Sequence, residues 1–167
     1  METYKASLDK TAKVITAFVF LLPIGEIVVA LTIPIWFARV IVIIIPVIII
    51  TFTYIYSVRR YIITDDSLII KRPLSRLNKV IPLSEIESVS LLTKEDFRGT
   101  IRTFGDGGVF GYYGSFFNKK LRGFKMYATN RQNGILIILK NAKGEIVISP
   151  DDAGMLDSLQ KRLNTRV

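Results

Sequence analysis

Two apolar stretches, Val14–Ile33 and Val40–Tyr56, constrain this chain more than any other feature. Between Val14 and Tyr56 the only formal charges are Glu26 and Arg39. A helix of about 20 residues spans about 30 Å, the thickness of a bilayer's hydrocarbon core. The first stretch has 20 residues and the second 17, which Ala38 or Ser57 can extend. Runs such as Val40–Ile45 and Val47–Ile50 leave no polar face, so lipid suits them better than the inside of a soluble protein. Pro34–Arg39 is short enough only for a tight hairpin, with Trp36 and Phe37 at one interface and Tyr54 and Tyr56 at the other. A cleaved leader fits poorly, because no small-x-small site follows Leu22 and a second apolar stretch comes at once.

Flanking charge sets the orientation. Lys5, Lys10 and Lys13 precede the first stretch, Arg59 and Arg60 follow the second, and the hairpin loop carries Arg39 alone. Cationic flanks stay on the cytoplasmic side, so both termini and the remaining chain are expected in the cytoplasm, on an inner membrane. Glu26 stands out, since an ionisable group within a span is costly and often functional. Gly25 and Pro23 beside it favour a bend, and Thr51 or Thr53 on the return helix offers a hydroxyl. It is read as a packed group at a helix or oligomer contact; the alternative is a small transport or channel component that uses Glu26.

The expected division is an anchor over residues 1–57 and a second domain over 58–167. From Arg59 onward the chain carries 19 Lys/Arg and 11 Asp/Glu, so this domain is basic. Neither Cys nor His occurs, which removes disulfides, thiol nucleophiles, the usual zinc ligands and imidazole bases. A site built from carboxylates alone, around Asp96 and Asp106, is the enzymatic reading that survives. A non-enzymatic chain without metal or cofactor is the expectation. Nucleic-acid binding is not expected, since no zinc motif or aromatic RNA-binding strand is present and a tether explains the basic charge.

The domain reads as mainly β. Tyr61–Thr64 and Leu68–Lys71 form a hairpin across Asp65-Asp66-Ser67, Lys79–Leu83 is a further strand, and Ser84-x-x-Glu87 caps a helical turn before a half-buried strand through Val89 and Leu91. Phe124–Thr129, Ile135–Lys140 and Glu145–Ser149 are separated by Asn133-Gly134 and Asn141–Gly144, which predicts an antiparallel meander. Ser149-Pro150-Asp151-Asp152 then reads as the start of a helix, with Met155, Leu156, Leu159 and Leu163 on its apolar face.

This layout, with Tyr61-Ile-Ile-Thr-Asp-Asp-Ser-Leu-Ile-Ile, Phe104-Gly-Asp-Gly-Gly-Val-Phe-Gly-Tyr-Tyr-Gly, Tyr127-Ala-Thr-Asn-Arg and Ile146-Val-Ile-Ser-Pro-Asp-Asp, resembles the bacterial PH-like (pleckstrin-homology-type) domains that follow transmembrane hairpins. The resemblance covers roughly residues 58–163 and implies an α+β, mainly β fold: a seven-stranded barrel with a C-terminal capping helix. It implies a membrane setting and carries over no ligand or catalytic residue.

Thr93–Gly123 shows no strand pattern and is expected as a long loop, of a length that in a compact domain is usually functional or disordered, although its aromatic content argues against plain disorder. Its candidate interaction residues are Phe104, Gly105, Gly108, Phe110, Gly111, Tyr112, Tyr113, Gly114, Phe116 and Phe117. Neither a Walker-type nor a dinucleotide glycine pattern is present, since Phe110 stands where the third dinucleotide glycine belongs. Three readings remain: a structural loop with its aromatics over one barrel end, a lipid-facing loop, or a protein-binding or self-association surface. Lys119, Lys120, Arg122 and Lys125 follow it, and Lys71, Arg72, Arg76 and Lys79 flank the first strands; both groups are candidates for anionic lipid or phosphate. The candidate partners are therefore the membrane itself, anionic lipids, another membrane protein or a second copy.

Overall fold

The computed structural model describes residues 1–165; the last two residues of the expected second domain lie outside them. Helix α1 (Lys10–Thr32) and helix α2 (Trp36–Tyr56) form the apolar hairpin, and both are long and apolar enough to cross a membrane. Asp9 caps α1 by accepting the Ala12 N–H at 2.7 Å. Arg39 turns back and donates from Nε to the Ile33 carbonyl, which closes the connection. The first helix starts one turn earlier than its apolar stretch because that turn packs on the sheets, where Ala12 is fully buried.

Among the described residues there are ten strands: β1 (Glu2–Lys5), β2 (Arg60–Ile63), β3 (Ser67–Lys71), β4 (Lys79–Pro82), β5 (Ile86–Thr93), β6 (Ile101–Gly107), β7 (Tyr112–Asn118), β8 (Arg122–Ala128), β9 (Asn133–Leu139) and β10 (Glu145–Ile148). Helix α3 (Gly154–Asn164) ends the described chain. They form a four-stranded sheet ordered β1-β2-β3-β4 and a six-stranded sheet ordered β5-β9-β10-β8-β7-β6. The fold is thus mixed α+β and mainly sheet, as expected, but the seven-stranded closed barrel is corrected to two separate sheets. The sheets part between β4 and β5, which are not paired with each other, and three strands join those expected: the N-terminal tail pairs as β1 with β2, and the glycine-rich segment supplies the β6–β7 hairpin.

The expected meander is also corrected. Strand β10 inserts between β9 and β8, antiparallel to the first and parallel to the second. The short β8–β9 link therefore crosses over the end of β10, where the Ser149 hydroxyl accepts the N–H of Thr129 at 2.7 Å. This use of Ser149 removes it from the helix start; α3 begins at Gly154, whose N–H is held by Asp152. Asp151 accepts the N–H and hydroxyl of Ser7 instead, which pins the tail that leads into α1. Ahead of β5 the expected capped helical turn is a single tight turn, Leu83–Glu85.

Two apolar clusters hold the sheets. One lies between the sheets and under α3, with Ile63, Leu68, Ile70, Ile135, Ile137, Ile148, Met155 and Leu159. The other lies on the opposite face of the larger sheet, with Tyr112, Phe116, Phe124, Met126 and Val147 beneath Ala12 of α1. Tyr61 joins the sheets: its buried hydroxyl donates to the Tyr127 carbonyl at 2.7 Å and accepts the Ser149 N–H, and burial raises the phenol's pKa.

Candidate functional site

Register places the charges of the small sheet. Lys5 lies opposite Arg60, Arg60 opposite Lys71, and Ile70 opposite Lys79. These cations therefore share one end of the sheet, and β2 enters that end directly from α2. At the other end Glu2 lies opposite Ile63 and meets Arg162 of α3. The sheet is polar in the electrical sense, with its basic end at the foot of the helices.

A hollow of about 960 Å³ opens there, lined by Lys5, Arg59, Arg60, Lys71 and Arg72 with Tyr54, and no carboxylate is among its lining residues. Two arginines are held in place by tyrosines of the last turns of α2. The Arg59 guanidinium lies 5.0 Å from the Tyr54 ring centroid and donates to its hydroxyl. Arg72 sits 5.0 Å from the Tyr56 ring and 5.5 Å from that of Tyr127, with its Nε enclosed and no partner for it among the described residues. Its backbone N–H is taken by Asn78 Oδ1 at 2.9 Å, so the loop after β3 is fixed as well. Stacking over an aromatic face orients a guanidinium without neutralising it. An anion entering the hollow thus meets positive charge that no carboxylate has already cancelled.

The expected loop at Thr93–Gly123 is corrected to the β6–β7 hairpin. Alternation failed to reveal it because glycines occupy positions where side chains would mark the period. Its tip enters the base of the helix pair. The Phe110 N–H donates to Thr16 Oγ1 at 2.8 Å, and its ring meets Phe20 and Tyr54 edge-on at 5.7 and 5.4 Å. Tyr113 stacks on Tyr56 at 6.1 Å, and Tyr112 donates to the Asp9 carboxylate. Of the ten candidate interaction residues, then, Phe110, Tyr112 and Tyr113 form a joint between helices and sheet. Gly108 belongs to it too, because a Cβ there would lie 2.6 Å from Ile15 Cδ1 at a φ of +150°. Gly108→Ala is expected to lower stability by about 1–2 kcal/mol, and Ile15→Ala in the same chain to recover part of it. Thermal unfolding in detergent of both single variants and the double variant measures this.

A family profile described as Bacterial PH domain matches residues 59–164. The chain belongs to that family. No curated protein and no solved structure matches it. The match begins at Arg59, so the first strand of this PH domain, β1, and the lysine it brings to the hollow lie outside the matched range.

The candidate cations do not all converge. Lys71 and Arg72 line the hollow, while Arg76 is exposed on the tight turn Ser75–Leu77 close by. Lys79 and Lys125 line a separate groove between β4 and β8. Lys119, Lys120 and Arg122 sit at the β7–β8 turn, six residues of strand or about 20 Å beyond Tyr113. Lys5, Arg59 and Arg60 complete the hollow, although flanking charge alone had assigned them only an orienting part. The strand-forming Thr3-Tyr4 pair before Lys5 was the signal that the tail belongs to the sheet.

Both carboxylates beside the glycine-rich segment serve the PH domain's own backbone. Asp96 accepts from Thr93 N–H and hydroxyl and pairs with Lys120. Asp106 Oδ1 accepts the N–H groups of Gly108 and Val109 at 2.8 and 2.7 Å, and burial raises its pKa against those bonds. A raised folded pKa means that ionised Asp106 destabilises the fold at neutral pH, and that this penalty disappears as pH falls through the folded value. Asp106→Asn keeps the acceptor oxygen and removes the charge. It is expected to raise the melting temperature at neutral pH, with the gain vanishing on acidification; thermal melts across that range test it.

Glu26 lies half-buried on α1 with Oε2 enclosed and no hydrogen-bond partner for it among the described residues. The hydroxyl expected from Thr53 is directed instead to the Ile49 and Ile50 carbonyls of its own helix.

Proposed function

We propose that this chain is a non-enzymatic PH-domain binding module held at the cytoplasmic face of a membrane by its helical hairpin, where the cationic hollow takes the phosphates of anionic lipid headgroups. One observation carries the reading: five cations surround a hollow at the foot of α2 with no carboxylate in its lining. The anchor part is supported by two apolar helices whose α2 buries no residue against the protein, and by the bias of Lys and Arg away from the hairpin loop. Tyr54 and Tyr56 then lie at headgroup depth, where amphipathic rings are favoured, and the arginines stacked on them face the phosphate layer.

Each Lys or Arg near an anionic surface is worth about 1 kcal/mol, so the cluster gives a tethered domain a strong preference for acidic lipid. The test is native mass spectrometry of the full chain released from mixed phosphatidylcholine and phosphatidylglycerol. Selective retention of phosphatidylglycerol that is lost in an Arg59→Gln, Lys71→Gln, Arg72→Gln chain is the expected result. Equal retention of both lipids by the unaltered chain would sink the headgroup reading.

A further inference from the structure

The basic residues of the β7–β8 turn are not absorbed by the hollow. About 20 Å along β7 from the joint, they form a cluster separate from the hollow's cations. Lys119 and Arg122 have no ion-pair partner among the described residues, while Lys120 is already paired with Asp96. Beside them β6 is the outermost strand of the six-stranded sheet, and no strand among the described residues pairs with its outer side.

That edge is apolar as well as open. Phe104 is 78 % exposed, Ile101 60 % and Phe117 43 %. Register puts Ile101 opposite Phe117, and Phe104 opposite Ser115 two residues further along β7, so all three share one face. Next to that face runs a groove of about 610 Å³ lined by Phe117, Lys79, Lys125 and the Lys143–Glu85 ion pair, with Glu145 at its β10 side, so its charge is mixed and the uncompensated cations are those at the β7–β8 turn. Edge strands are usually blunted by inward charges, proline or a covering element. The devices here are Arg102 and a register shift between Arg102 and Phe104, which leave most of the seven-residue strand uncovered.

We propose that β6 and the face beside it are a docking edge for an extended acidic segment of another protein, which adds a strand to the sheet. Main-chain hydrogen bonds to β6 would supply affinity. Alternate apolar side chains would cover Ile101, Phe104 and Phe117, and acidic residues would meet Arg102, Lys119 and Arg122. A second copy is the wrong occupant, since a chain of net charge +9 would set the same basic surface against itself. Geometry agrees, given the anchor proposed above. Antiparallel pairing of two β6 strands needs a two-fold axis perpendicular to the sheet, and β6 points its Gly107 end at the helices, so one copy would be inverted relative to the shared membrane.

The test places photoreactive benzoylphenylalanine at position 104 of the full chain in cells, with the exposed Glu87 position on β5 as control. The expected result is one protein adduct specific to position 104, mapping to a stretch rich in Asp and Glu. Its yield should fall about tenfold in a Lys119→Glu, Arg122→Glu chain whose melting temperature is unchanged. A synthetic peptide of that stretch should also bind at least about tenfold more tightly than its alternately N-methylated form, which cannot pair as a strand. Adducts only to lipid, nucleic acid or a second copy would overturn the proposal. So would equal labelling from position 87, no adduct, insensitivity to charge reversal, or unimpaired binding of the N-methylated peptide.

Discussion

Gly105→Ala is expected to collapse the β6–β7 hairpin. Gly105 and Gly114 face each other across the two strands, with φ of +102° and +121°. A Cβ on Gly105 would lie 2.2 Å from the Tyr113 carbonyl oxygen, and one on Gly114 equally close to that of Phe104. Both obstacles are backbone, so no rotamer change relieves them. Left-handed strain adds to the clash, and the combined loss is about 4 kcal/mol, a large part of a typical domain's stability of about 5–15 kcal/mol. The melting temperature should fall by about 8–16 °C, with loss of the β signal in far-ultraviolet circular dichroism. Gly123→Ala is the control, because its Cβ would meet nothing within 4 Å. Equal melting temperatures for the two variants would contradict the close strand approach.

Removal of the hollow's cations should have the largest functional effect. Arg59, Lys71 and Arg72 together are worth about 3 kcal/mol against an anionic surface, so their replacement by Gln should weaken preference for phosphatidylglycerol about 150-fold. Raising the salt concentration should reduce the same preference in the unaltered chain, since exposed charges are screened. Lys119→Glu, Arg122→Glu provides the spatial control, as that pair lies at the far end of β7. If the distal pair lowers lipid preference as much as the triple replacement, net charge rather than the hollow is responsible.

Local signals served well wherever a segment's neighbours in sequence were also its neighbours in space. The β2–β3 hairpin follows from two β-rich runs around Asp65-Asp66, and α3 follows from its apolar face of Met155, Leu156, Leu159 and Leu163, although its cap was misplaced because Ser149 bonds across the sheet to Thr129. The β6–β7 hairpin stayed hidden. Its glycines are needed for close backbone approach, and glycine carries no side chain to record which face it occupies. The strand order failed for a related reason, since turn residues between β8, β9 and β10 specify reversals but not which strand slips between which. Of the two basic groups singled out from sequence, only Lys71 and Arg72 reached the hollow; their partners Lys5, Arg59 and Arg60 came from segments on either side of the helical hairpin.

The sequence by itself determined the apolar hairpin, the charge asymmetry around it and the mainly β character of the domain beyond it, because these depend on composition and period within single segments. Tertiary structure decided that the N-terminal tail crosses back to pair with β2, that Phe110 wedges between the helix feet, and that one basic cluster gathers beside the apolar helices while the other is held about 20 Å away. Those outcomes depend on register between strands distant in the chain. A two-residue alternation fixes which face a side chain takes, but not which end of which sheet it reaches.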